Sequence, residues 1–205
     1  TQYDFKPLFI IDADSIELIE MPDINLSQIS KFKKNPNTFV KHDYFKVGYS
    51  SGIIYKRFPF TITLIKSVLY NWKLKAQIAY FSGYQPFYEK KHKSKGLEIT
   101  KRIIENFNKD VIKDKSTPIV TIIPTFRDFE YYNKYGEFPY QSLIESVNEK
   151  VVIFDFGKKF LEEFPSFDLN LLLDLYIEPA GHMNENGHRL MAKVFSAFLV
   201  KNNYL

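Results

Sequence analysis

Two short β-branched runs constrain this chain more than any other feature. Residues 118–124 read Pro-Ile-Val-Thr-Ile-Ile-Pro and residues 150–156 read Lys-Val-Val-Ile-Phe-Asp-Phe. A strand that is apolar on successive residues has both faces covered, which is the situation of a parallel strand flanked by helices. A helical stretch at about 140–147 lies between the two runs. The unit is therefore β-α-β, with parallel strands, a right-handed crossover and a ligand site at the carboxyl ends of the strands. Those ends carry Thr125, Arg127 and Asp128 after the first strand, and Asp155 and Gly157 after the second.

The rest of the chain supplies elements to cover such a sheet. Residues 7–12 and 15–20 are β-rich runs separated by Ala13 and Asp14, which reads as a hairpin whose second strand alternates and has one wet face. After Pro59, Ile65, Val68, Leu69 and Trp72 recur at helical spacing to about Ala76; Ile103, Ile104, Phe107 and Val111 do the same over about 97–113. Both stripes are expected to be core faces. A last helix over about 186–200 would lay Leu190, Met191, Val194 and Phe198 on the sheet. No repeat or linker divides the chain, so one α/β domain is expected over residues 1–205.

Composition excludes several functions. The chain has no cysteine, which removes disulfides, thiolate metal sites and a cysteine nucleophile. Its net charge of +4 comes from 28 basic and 24 acidic residues, and of the basic ones only Arg57, Arg102, Arg127 and Arg189 are arginine. Arginine is the usual reader of base edges, so a solvated lysine-rich face is expected and a nucleic-acid site is not. No apolar run approaches the roughly 18 residues of a membrane span, and the first residues lack the order of a signal peptide. Tyr131, Tyr132 and Tyr135 cluster beyond the first strand and are expected to line a cleft, while His42 and His92 sit among lysines and read as surface residues.

Chemistry concentrates in residues 176–193, Tyr-Ile-Glu-Pro-Ala-Gly-His-Met-Asn-Glu-Asn-Gly-His-Arg-Leu-Met-Ala-Lys. His182 precedes Asn184, which can cap a helix, and Gly187, where the helix must pass close to its neighbours. A helix N-terminus disfavours an adjacent imidazolium, so a histidine held there is suited to accept a proton, with a carboxylate to stabilise the charge once formed. Glu178 is the first candidate for that carboxylate and Asp174 the second. His188 lacks a third ligand at metal-binding spacing and reads as a helix-surface residue; no metal or other cofactor is expected.

The pattern His182-x-Asn184-x-x-Gly187-His188 with Ala192 resembles the last block of the SGNH, or GDSL-type, hydrolases. Residues 6–22, which begin Lys-Pro-Leu-Phe, stand where the longer members have a Lys-Pro-aromatic strand and its partner, and a helix, a strand ending in Ile-Pro, another helix and a strand ending in Asp then follow in the same order. The resemblance implies a flavodoxin-like three-layer α/β/α sandwich and cleavage or transfer of acyl esters on small molecules, carbohydrates or lipids. It also implies His182 as catalytic base. Where the family has an Asp three residues before this His the chain has Pro179, and neither a Gly-Asp-Ser nor a Gly-x-Asn-Asp block is present. In longer members both lie upstream of the Lys-Pro strand, so the chain corresponds to the C-terminal part of such a domain, and an N-terminal complement is an implied partner.

Two internal serines stand as alternatives for the nucleophile. Ser15 follows an apolar strand in Asp-Ala-Asp-Ser, a degenerate Gly-Asp-Ser, with residues 83–85 standing in for the oxyanion block. Ser50, in Gly-Tyr-Ser-Ser-Gly, formally fits the nucleophile elbow, which requires an apolar strand before it and a helix after it. The runner-up to the enzyme is a non-catalytic binding module on the same scaffold.

Overall fold

A computed structural model describes residues 8–13, 15–20, 25–35, 41–42, 58–80, 84–166, 168–176 and 182–204, with backbone alone for 26, 32, 33, 71 and 73–80. The chain divides into two units, Thr1–Tyr80 and Phe81–Leu205.

The first unit opens with the expected hairpin. Strands β1 (Leu8–Asp12) and β2 (Ser15–Ile19) pair antiparallel with Leu8 opposite Ile19 and Asp12 opposite Ser15. Ala13 turns the chain at φ 48°, a left-handed conformation that is uncommon for a residue with a Cβ. The alternation of β2 fails at Leu18, which is exposed beside Glu17. Helix α1 (Leu26–Lys34) begins at a reciprocal cap: Asn25 Oδ1 accepts from the Gln28 N–H, and the Asn25 N–H donates to Gln28 Oε1. Helix α2 (Phe60–Tyr80) follows Pro59 as the spacing predicts.

Its burial is the reverse of the expectation. Ile65, Val68, Leu69 and Trp72 are exposed, whereas the polar Thr63, Ser67 and Tyr70 are half-buried. Periodicity reports that a helix has an apolar face, and nothing in it specifies what lies against that face.

The second unit holds the β-α-β core. Between a 3₁₀ turn at Gln85–Tyr88 and strand β3 (Val120–Ile122) runs helix α3 (Gly96–Lys113). Then come α4 (Phe126–Tyr135), α5 (Gln141–Ser146) and strand β4 (Ile153–Asp155). Helices α6 (Phe156–Glu163), α7 (Leu169–Leu173) and α8 (Glu185–Lys201) complete the chain. Strands β3 and β4 pair parallel, Val120 to Ile153 and Ile122 to Asp155, so the crossover joins parallel strands as expected. The general α/β class follows from this pair, the only parallel one among the described residues.

Helix α4 is absent from the sequence reading, which passes from the strand end directly to the helix at 140. Coverage also differs between the two strands. Phe154 of β4 is fully buried under Phe195 and Phe198 of α8, ring centroids 4.9 and 5.0 Å away, while Thr121 of β3 and Ile123 just after it are exposed. The expectation that both runs are covered on both faces therefore holds for β4 and fails for β3. The core is aromatic: Phe129 meets Phe138 at 5.4 Å and Phe160 at 5.1 Å, both edge-on, the geometry that the ring quadrupoles favour.

Candidate functional site

The carboxyl ends of the parallel strands are each closed by a carboxylate and a tyrosine hydroxyl. After β3, Asp128 lies almost wholly buried in the first turn of α4. Its Oδ2 accepts from Thr125 N–H at 2.7 Å and Thr125 Oγ1 at 2.9 Å, and its Oδ1 from Tyr84 Oη at 2.7 Å. Three donors compensate a buried anion that would otherwise be costly. After β4, Asp155 caps α6 by accepting from Lys158 N–H at 3.2 Å and also accepts a hydrogen bond from the Tyr140 hydroxyl at 2.9 Å. Burial holds the Asp155 carboxyl above the ordinary range against these hydrogen bonds, and burial followed by the Asp155 charge raises Tyr140. Gly157 is required here, because a Cβ would overlap Tyr140 Oη and the Phe138 ring.

The His182 segment is tied to the β3 end. Tyr176, raised by burial and then by the Asp128 charge, donates its hydroxyl to the Pro124 carbonyl at 2.7 Å. Tyr176 also forms an antiparallel bridge with Met183, the neighbour of His182. Asn184 fastens both sides of the loop. Its N–H donates to the Leu175 carbonyl at 2.9 Å, its Nδ2 to the Asp174 carbonyl at 2.8 Å, and its Oδ1 accepts from Gly187 N–H at 3.1 Å. Asn184 is thus the cap of α8 that its type and position predict. A Cβ on Gly187 would overlap the Leu175 carbonyl oxygen and the Met183 Cβ, which is the close approach anticipated for this glycine.

His182 itself is exposed, two residues ahead of Asn184, the cap of α8, and among the described residues no carboxylate bonds to it. Asp174 is exposed at the end of α7 and meets the loop through its backbone carbonyl. Glu178, Pro179 and Ser50 lie outside the described residues. Ser15 belongs to the first unit, where it starts β2 and donates Oγ to the Asp12 carbonyl at 3.1 Å. A strand, and not a helix, follows it. His188 lies on the exposed face of α8, as expected, and His42 is exposed. His92 departs from its surface reading: it is half-buried, its Nδ1 lies 2.7 Å from Ser94 Oγ, and its ring packs edge-on to Phe87.

Beside the β4 end is an open cleft of about 520 Å³ lined by Tyr132, Phe138, Gln141, Asp155, Lys158 and several glutamates. Of the three tyrosines expected at a cleft, Tyr132 lines it, Tyr131 is buried, and Tyr135 packs against Tyr131 with tilted rings 4.4 Å apart. His182 is not part of this lining. The tyrosine hydroxyls that close the strand ends escape sequence reasoning, since their partners lie 15 to 52 residues away.

Comparison with known proteins adds no relative: the chain matches no protein-family model, no curated protein and no solved structure.

Proposed function

We propose that this chain carries the histidine-bearing part of an acyl-ester hydrolase or acyltransferase of the SGNH type, with His182 as general base. The observation that supports the reading is the fastening of the His182 loop, through Tyr176, Asn184 and Gly187, to the carboxyl end of a parallel strand. In this reading His182 takes the proton of a serine hydroxyl as that oxygen attacks the ester carbonyl. It then returns the proton to the departing alcohol, and water or an acceptor hydroxyl releases the acyl group. Glu178 is the first candidate to hold the far nitrogen of the imidazole and Asp174 the second. Among the described residues the strand ends present Thr125 and Asp155 and no serine. The nucleophile is accordingly sought at Ser50 or on polypeptide outside residues 1–205, where an N-terminal complement of the same domain would supply it.

That lack of a serine and of a bonded carboxylate also favours a second reading, a non-catalytic binding module on the same scaffold. Turnover of p-nitrophenyl acetate by the full-length protein separates the two. His182→Ala lowers turnover by about 10²-fold or more, the contribution of a well-placed base, and His188→Ala leaves it near the parent. A parent without activity on any short acyl ester, or equal rates in all three, removes the enzyme and leaves the module.

A further inference from the structure

The outward apolar face of α2 is independent of the esterase reading and has no role in it. Ile62, Ile65, Val68, Leu69 and Trp72 fall within one arc of the helix and are between 51% and 72% exposed. Thr63, Ser67 and Tyr70, on the opposite arc, are the half-buried residues. The N-terminal end adds Phe58, 86% exposed, and Phe60, whose rings meet edge-on at 6.2 Å. An apolar surface of this size on a helix is not left to water without a function.

Charge identifies what covers it. Residues 44–88 contain no aspartate or glutamate, while Lys46, Lys56, Arg57, Lys66, Lys73 and Lys75 fall in that stretch. A protein partner docking by apolar contact alone would require no such one-sided charge. A helix with Ile, Leu and Trp on one exposed arc, lysines along it and no carboxylate offers an anionic lipid surface both apolar contact and positive charge. Aromatic side chains such as Trp72 and Phe58 settle at the headgroup level, and lysines are drawn to anionic lipid. Spanning is a separate matter: among the described residues no helix is long and apolar enough to cross a membrane. We infer that α2 is an interfacial anchor that lays its Ile62-Ile65-Leu69-Trp72 face into an anionic lipid surface.

Trp72 is the only tryptophan, so its emission reports on this face alone. The full chain is titrated with vesicles of phosphatidylcholine and with vesicles containing about 30% phosphatidylserine, a composition that supplies a negative surface. The expected result is a blue shift and co-sedimentation with the anionic vesicles, and little of either with phosphatidylcholine. Ile65→Glu with Leu69→Glu, at exposed positions that leave the helical circular dichroism unchanged, weakens binding at least about tenfold. Lys66→Glu weakens it about fivefold or more, and added salt has the same direction. Absence of binding to anionic vesicles, or equal binding by the double variant, overturns the inference. So does a dimeric mass with Trp72 already blue-shifted before lipid is added, which would make a second copy the occupant.

Discussion

Helices α2 and α8 each carry apolar residues at helical spacing and meet opposite fates. In α8, Leu190, Met191, Val194 and Phe198 pack against the aromatic core around Phe154. In α2, Ile65, Val68, Leu69 and Trp72 stand in solvent and the polar arc is the sheltered one. The difference lies in what each unit offers as a counterface. Residues 81–205 contain a parallel strand pair with a full-sized aromatic cluster; the described part of residues 1–80 has a two-stranded hairpin, which on its own supplies too little apolar surface to bury a 21-residue helix.

Substitutions sharpen this contrast. The largest effect is expected in the closed region: Phe160, fully buried against Phe129, Phe156 and Phe164, should cost about 3–5 kcal/mol as Phe160→Ala in denaturant unfolding. Gly187→Ala forces a Cβ against the Leu175 carbonyl and should cost about 1–3 kcal/mol. If the His182 loop is the catalytic one, that variant also loses ester turnover beyond what its stability explains. Tyr176→Phe leaves the Pro124 carbonyl without its donor at a buried position and should cost about 1–2 kcal/mol.

What the sequence made legible follows the range of the interactions involved. The two strands, helices α2, α3, α5 and α8, the hairpin, the Asn184 cap and the tight approach at Gly187 all rest on local periodicity or on a turn within a few residues. Helix α4 was hidden because its apolar Phe126 and Phe129 are interspersed with Arg127, Asp128 and Glu130, and the burial of Asp128 depends on Tyr84, 44 residues earlier. The orientation of α2 was illegible for the complementary reason: a face is encoded locally, its covering is not. At the candidate site the position of His182 ahead of α8 was readable, whereas the tyrosine ties to Pro124 and Asp155 depend on the closed fold.

A smaller, pH-dependent effect is expected at Asp155. Its carboxyl is raised by burial, so it favours the folded state while protonated, and that advantage is lost as pH rises from the unfolded value through the folded one. Asp155→Asn keeps an oxygen acceptor for Tyr140 and Lys158 without the titration. Its stability relative to the parent should therefore rise as pH is raised from below the ordinary aspartate range to above it, as read by paired thermal melts. A flat difference would mean that the buried carboxyl does not titrate with folding. The smallest effect belongs to the open region: Leu69→Ala, at a site 59% exposed, should stay within about 0.5 kcal/mol of the parent.

The contrast between the two regions is tested most directly by the single tryptophan of the free chain. Trp72 is 72% exposed on the outward arc of α2, so in lipid-free solution its emission should be that of a water-exposed indole and should be quenched almost completely by acrylamide. A blue-shifted emission protected from acrylamide in the monomer would contradict the account, because it would mean that the apolar face of α2 is closed like that of α8.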